Sequence, residues 1–175
     1  MPVPSLPAKL PGMTILVTAA TKHGATMEIA EAIGRALDEA GMAASVQPVA
    51  HVGSLDPYEA IVLGSAVYVG HWLEPARTFA KRNAEALQAR PTWLFSSGPI
   101  GDPPRPKAED AVKVDDLMAA TGARAHQLFA GRVDRHRLGF GERAVMHAVG
   151  AKDGDFRDWD AIAGWAREIA AALRA

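Results

Sequence analysis

Cysteine is missing from the chain, which excludes disulfides, thiolate zinc sites, cysteine-ligated iron–sulfur clusters and a cysteine nucleophile. No apolar run approaches the ~18 residues that a membrane-spanning helix needs, so none is expected, although attachment to a membrane surface stays open. Neither sign of charge is in excess. Lys plus Arg number 19 against 20 Asp plus Glu, a formal net charge of -1, so no overall positive field favours nucleic-acid phosphates. Neither DNA nor RNA is an expected partner.

Several motifs are absent as well. His23, His51, His71, His126, His136 and His147 form neither an HExxH pair nor another metal-ligand spacing, so no metal is expected. The dinucleotide fingerprint GxGxxG is missing, and so is the P-loop GxxxxGK followed by Ser or Thr. SSGPIG at 96–101 is not the GxSxG of a nucleophile elbow. The first strand does not end in the acids that a phosphoacceptor receiver domain would want. No pair of acids can be singled out as general acid and base.

What remains is a globular balance, 49 % hydrophobic and 22 % charged residues, in a chain of 175 residues that fits one domain. A chain of that size buries about 70 % of the surface its unfolded form exposes. The opening MPVPSLPAKLPG carries four prolines and no continuous apolar stretch, so residues 1–12 read as a flexible leader rather than a signal peptide. From residue 13 to 175 short apolar runs alternate with amphipathic stretches, which predicts a parallel sheet covered by helices on both faces.

Strands are expected at 13–18, 43–49, 60–66, 91–97 and 123–131. The stretch from Ala25 to Ala40 puts Ile29, Ile33, Ala36, Leu37 and Ala40 on one helical face, and Gly41 suits its left-handed cap. A second helix should run from Pro75 to about Arg90 with Phe79, Ala80 and Leu87 inward. A third follows the Pro- and Gly-rich loop 98–106 and ends at Gly122. The last begins near Asp158, a good N-cap, with Ile162, Trp165, Ile169 and Leu173 on one side. Five such strands suit the doubly wound order 2-1-3-4-5, whose ligand crevice lies beyond the carboxyl ends of strands one and three.

Chemistry is therefore sought in the loops after Thr18, Ser65 and Ser97. The first carries Thr21, Gly24 and Thr26 at the start of a helix, where hydroxyls and the amides of residues 22–26 could wrap a phosphate, Gly24 allowing close approach. Equally, Thr21 and Thr26 could simply cap and close a turn. The second loop, GSAVYVGHW (64–72), offers small residues and then Tyr68 and Trp72, rings able to stack on a planar cofactor or to pack within the domain. The third, from Ser96 to Gly101, would bring backbone donors to the opposite side of such a ring.

TKHGATMEIAEAI, IVLGSAVYVGHWLEPARTFAKRNAEAL and DWDAIAGWAREIAAAL resemble the flavodoxin-domain group that contains the bacterial quinone-dependent protoporphyrinogen IX dehydrogenases, over about Met13 to Leu173. The resemblance implies a flavodoxin-like fold and FMN as cofactor. It assigns the FMN phosphate to Thr21, Lys22, His23, Gly24, Ala25 and Thr26. It lines the ring with Ser65, Ala66, Val67, Tyr68, Val69, Gly70 and His71, and with Ser96, Ser97, Gly98 and Gly101 opposite.

Just after the fifth strand Arg132, Arg135, His136, Arg137 and Arg143 form a dense basic group. Arg132, Arg135 and Arg137 could recognise an anionic substrate such as a porphyrin carboxylate, or the group could be a solvated turn. Phe140, Val145, Met146 and Val149 beside it could form a short helix that touches a membrane or packs on the domain. The expected function is an FMN-dependent oxidoreductase passing electrons from a reduced substrate, such as a porphyrinogen, to a quinone-like acceptor, with no catalytic acid or base assigned. The alternatives are a non-enzymatic electron carrier and a flavin-free or deazaflavin-binding regulator. The ring loops hold only Asp102 and nearby Glu74 as acids, which weighs against a carrier docking through an acidic rim. A cytoplasmic location, with peripheral contact at the inner face of the membrane left open, fits the missing cysteine. No oligomeric state is implied.

Overall fold

The computed structural model describes residues 13–98, 112–133, 139–141, 143, 144 and 154–175. The leader, the loop beyond Gly98 with Gly101, the start of the third expected helix, Arg135, Arg137 and the stretch holding Val145, Met146 and Val149 lie outside the described residues.

Strands β1 (Thr14–Ala20), β2 (Ala43–Pro48), β3 (Ala60–Tyr68), β5 (Thr92–Gly98) and β6 (His126–Ala130) form a parallel sheet in the order β2-β1-β3-β5-β6. Counting only these parallel strands, the order is 2-1-3-4-5, as the alternating pattern predicts. Two short pieces were not expected. β4 (His71–Trp72) folds back antiparallel on the end of β3, and β7 (Arg132–Val133) pairs with β8 (Gly154–Asp155) as a separate ribbon.

Helices cover both faces. α1 (Ala25–Glu39) and α5 (Trp159–Arg174) pack on one face, over Ile15, Val17, Val62, Trp93 and Phe95. On the other, α2 (Glu74–Arg82), α3 (Ala84–Gln88) and α4 (Asp115–Thr121) bury Leu16, Ile61, Leu63 and Leu94. Both faces of β3 are thus dry, which is why its sequence is a continuous apolar run.

Local sequence accounts for the boundaries. α1 buries Ile29, Ala30, Ile33, Ala36 and Leu37 at helical spacing, and Gly34 lets it lie on β2, because a Cβ there would collide with the Val46 side chain. The helix ends as Gly41 turns left-handed at φ +88° and Met42 N–H bonds the Leu37 carbonyl at 2.9 Å. α5 starts on Asp158, whose Oδ1 accepts the Ala161 N–H at 3.0 Å.

The single helix expected from Pro75 to Arg90 is instead two. Asn83 leaves the helical region at φ -107°, ψ 16°, while its N–H at 3.0 Å and its Nδ2 at 2.9 Å both donate to the Phe79 carbonyl, so the side chain stabilises the end of the first helix there. Among the described residues no helix is long and apolar enough to cross a membrane.

Candidate functional site

The loops after β1, β3 and β5 emerge at the same carboxyl edge of the sheet, because all three strands are parallel. Between β1 and α1 the loop is closed by its own residues. Thr21 Oγ1 accepts the Gly24 N–H at 3.0 Å, which leaves the Thr21 proton free to donate outward. Gly24 is the N-cap of α1 at φ +89°, a conformation that an L side chain resists, and it caps the helix with no side-chain hydrogen bond. The amides of Ala25, Thr26 and Met27 therefore receive no side-chain acceptor from the cap residue, whose carbonyl takes the Glu28 N–H at 3.2 Å. Thr26 is 2 % exposed, whereas Lys22 is exposed and His23 and Ala25 are half-buried.

The loop after β3 is a hairpin. Val67 pairs with Trp72 and Tyr68 with His71 across a two-residue turn in which Val69 (φ +50°) and Gly70 (φ +76°) are both left-handed. Glycine does this freely. A β-branched valine does not, so the turn stores about 1–3 kcal/mol of strain. The Gly70 carbonyl is held by the Lys113 N–H at 2.9 Å. Tyr68 and Val69 are exposed at the tip, and the Lys22 ammonium lies 5.2 Å from the centre of the Tyr68 ring, so the first and second loops meet there.

Of the two roles open to Trp72, the structure shows packing. Trp72 is 2 % exposed and its Nε1–H donates to Ser96 Oγ at 2.7 Å, so the ring is part of the scaffold and cannot stack on a surface ligand. Ser96 Oγ in turn lies 2.7 Å from His126 Nε2. Burial holds the His126 pKa below the usual imidazole value, which favours the neutral ring. Ser65, the register partner of Ser96, has its hydroxyl engaged too: it accepts the Leu73 N–H at 3.0 Å and donates to the Ala66 carbonyl at 2.8 Å. Among the candidate residues, then, Ser65 and Ser96 have hydroxyls bound within the protein. Ala66, Val67 and Gly70 are half-buried, His71 is exposed, and Ser97 and Gly98 are buried at the end of β5. The Gly98 carbonyl accepts the Gly131 N–H at 2.7 Å, joining the third loop's root to the start of the basic segment.

Of the basic group, Arg132 sits with its Nη1 3.5 Å from Glu28 Oε2, in the first turn of α1. A second arginine that sequence reasoning did not single out shares that carboxylate. Arg157, whose side chain is 5 % exposed, bonds Glu28 Oε2 through Nη1 and grips Asp155 with Nε and Nη2 at 2.8 and 2.6 Å. Hydrogen bonds from Arg157 hold both the Glu28 and Asp155 carboxyls below their ordinary pKa range. The only sequence signal was an Arg between two acids and two aromatics, a pattern shared by many surface turns.

A flavodoxin-domain family model matches residues 16–160 of the chain. Protoporphyrinogen IX dehydrogenase [quinone] of Escherichia coli K12 is 23 % identical over 172 residues, covering 90 % of this chain and 95 % of that protein. Among solved structures, a flavodoxin from the domain Archaea superposes with a TM-score of 0.62 at 18 % identity, covering 93 % of this chain and all of that one. The Flv1 flavodiiron core from Synechocystis gives 0.54 at 16 % identity over 68 % of this chain, which spans 30 % of that longer molecule.

Proposed function

Because the chain belongs to the flavodoxin-domain family, a family of flavin redox proteins, we propose that it is an FMN-dependent oxidoreductase that takes electrons from a reduced, carboxylated substrate of porphyrinogen type and passes them to a quinone-like acceptor. The observation that carries this reading is the meeting of a phosphate-compatible loop with an aromatic hairpin at the carboxyl edge of the sheet, Lys22 against Tyr68.

The residues fit the cofactor. The Thr21 hydroxyl, a buried Thr26, a lysine and a helix start with no side-chain cap make a donor set suited to a terminal phosphate dianion. Thr21, Lys22, His23, Gly24, Ala25 and Thr26 would hold that phosphate. Val67, Tyr68, Val69, Gly70 and His71 would line one side of the ring, with Tyr68 stacking. Backbone groups of Ser65, Ala66, Ser96, Ser97, Gly98 and Gly101 would line its polar edge, since the Ser65 and Ser96 hydroxyls are already bound. FMN supplies the redox chemistry when present. Arg132, Arg135 and Arg137 would receive the substrate carboxylates, for which Arg132 must exchange Glu28. Residues 13–175 serve as one domain behind a 1–12 leader. A quinone dissolved in a bilayer brings with it a cytoplasmic location and peripheral membrane contact.

The purified protein should be yellow and release FMN, and it should oxidise protoporphyrinogen with a soluble menaquinone analogue as acceptor. A yellow protein without turnover would make it an electron carrier, and a colourless one that FMN cannot reconstitute would make it a flavin-free regulator. Thr26→Val should cost about 1.5–3 kcal/mol of FMN binding, the value of a hydrogen bond to a charged acceptor. Tyr68→Ala should weaken binding and raise the fluorescence of bound flavin. Charge reversal of Arg135 and Arg137 to Glu should raise the KM for porphyrinogen while FMN stays bound.

A further inference from the structure

We propose that Arg157 is a positioning residue for the phosphate end of the cofactor, fixing the first turn of α1 and cancelling the charge of Glu28 within it. The proposal rests on the reading of Thr21–Thr26 as the phosphate loop and goes beyond it by assigning a role to a residue far away in the chain.

An arginine side chain that is 5 % exposed has to be fully engaged to repay its desolvation. Arg157 is. One guanidinium edge forms a two-point grip on Asp155 through Nε and Nη2, and Nη1 reaches α1, where it meets Glu28 Oε2 and the Ala25 carbonyl, the latter at 3.3 Å. Its plane lies over Trp159 at 4.5 Å. Ala25 and Glu28 bracket Thr26, so the guanidinium holds the backbone of the turn that presents the Thr26 hydroxyl.

The second task is electrostatic. Glu28 belongs to the N-terminal part of α1, where the helix dipole that would attract a phosphate also attracts a carboxylate. Left alone, its charge would oppose a dianion bound at the same helix start. Arg157 hydrogen-bonds it, Arg132 approaches it at 3.5 Å, and Asp155 completes a group of two cations and two anions with no net charge. If Arg132 left for a substrate, Arg157 would still pair with Glu28, held in place by Asp155 and Trp159, and the group would carry one net negative charge.

The test compares FMN with riboflavin, which lacks the phosphate, by fluorescence titration of the flavin-free full-length chain. Arg157→Met should weaken FMN about 10- to 100-fold and riboflavin less than about threefold, the scale of a lost contact to a charged group. Adding Glu28→Gln to that variant should recover most of the FMN loss, and Arg157→Lys should fall between parent and Arg157→Met. Should Arg157→Met not fold, Arg157→Lys and Glu28→Gln carry the test, the first lowering FMN preference over riboflavin and the second leaving it equal or raised. A parent that prefers FMN, with variants that lose both flavins equally or neither, would overturn the role of Arg157 alone. A parent that binds both flavins equally, or neither, would overturn the phosphate loop and this proposal together.

Discussion

On the α1/α5 side of the sheet Phe95, Phe129 and Trp165 meet in tilted and edge-on contacts with centroids 5.6 to 6.3 Å apart. At the same height on the α2/α4 side lie Ser65, Ser96, Trp72 and His126, bound to one another or to the hairpin by hydrogen bonds. The first face is ordered mainly by shape, the Trp165 indole N–H being the one polar group among its three rings. The second is ordered by direction, since each hydroxyl and ring nitrogen needs a partner at a set angle. The hairpin that carries Tyr68 grows from the second face. Its geometry is therefore fixed by hydrogen bonds to Ser65 and Ser96, and a non-directional core would leave it free to shift.

Breaking the aromatic face should have the largest effect. Phe95→Ala should cost about 3–5 kcal/mol in urea unfolding, the usual price of a large cavity in a packed core. Gly64 faces that ring so closely that any Cβ there collides with it. Gly64→Ala should therefore be severe in the parent and much milder in a Phe95→Leu background, a non-additivity expected only of groups in contact. Additive costs would mean that the aromatic trio shifts more freely than its packing implies.

On the polar face the expected effects are smaller and of both signs. Trp72→Phe keeps the ring but removes the donor to Ser96, and should cost about 1–3 kcal/mol. A loss below about 0.5 kcal/mol would mean that the tryptophan contributes as a hydrophobe only. Thr18 points the other way: by strand alternation it shares this face with Leu16 and Ala20, and its Oγ1 is buried without a hydrogen-bond partner among the described residues. Thr18→Val should stabilise the fold by about 1 kcal/mol, because the hydroxyl is desolvated for no return. Destabilisation instead would mean that Thr18 has a partner in solution.

The hairpin sharpens the comparison. Val69→Asn, giving the Asn-Gly pair that left-handed two-residue turns favour, should gain somewhat less than about 1 kcal/mol. If FMN affinity falls as stability rises, the exposed valine is retained for its contact with the ring and not for the turn.

What the sequence made legible follows the same division. The parallel order, α1 with its Gly41 cap and the Asp158 cap of α5 are periodic or local signals, and each could be read from neighbours a few residues apart. Trp72 could not, because an aromatic after a strand looks the same whether it faces a ligand or a serine in another strand. The break at Asn83 was hidden by the apolar spacing of Phe79 and Leu87, which continues across it. Arg157 and Glu28 are 129 residues apart, and only the packing of α5 beside α1 brings them together. In the candidate site the loops were legible as loops. Which hydroxyls were free was not, since Ser65 and Ser96 are indistinguishable from Thr21 and Thr26 until their partners are in place.

The smallest expected effect is also the most specific to the polar face. Trp72 already donates to Ser96 Oγ, so the arrangement is complete when the Ser96 proton points to an unprotonated His126 Nε2. An imidazolium would have to donate instead, leaving the Ser96 proton without that acceptor in a fully buried site. Burial lowers the folded pKa from its ordinary 6.5. Between 6.5 and that lower value the unfolded chain binds a proton that the folded chain refuses, so stability is complete above pH 6.5 and declines as pH falls through this window. Glu28 and Asp155, held below 4.5 and 3.8, lose their contribution only at more acid pH, so urea unfolding at pH 7.5, 6.5 and 5.5 isolates the histidine. His126→Gln keeps a polar partner for Ser96 without a titrating ring. The parent should lose stability relative to this variant as pH drops from 6.5 to 5.5, while the two run parallel above 6.5. Equal slopes throughout would show that the ring takes up its proton without cost and that the Trp72–Ser96–His126 chain tolerates reversal.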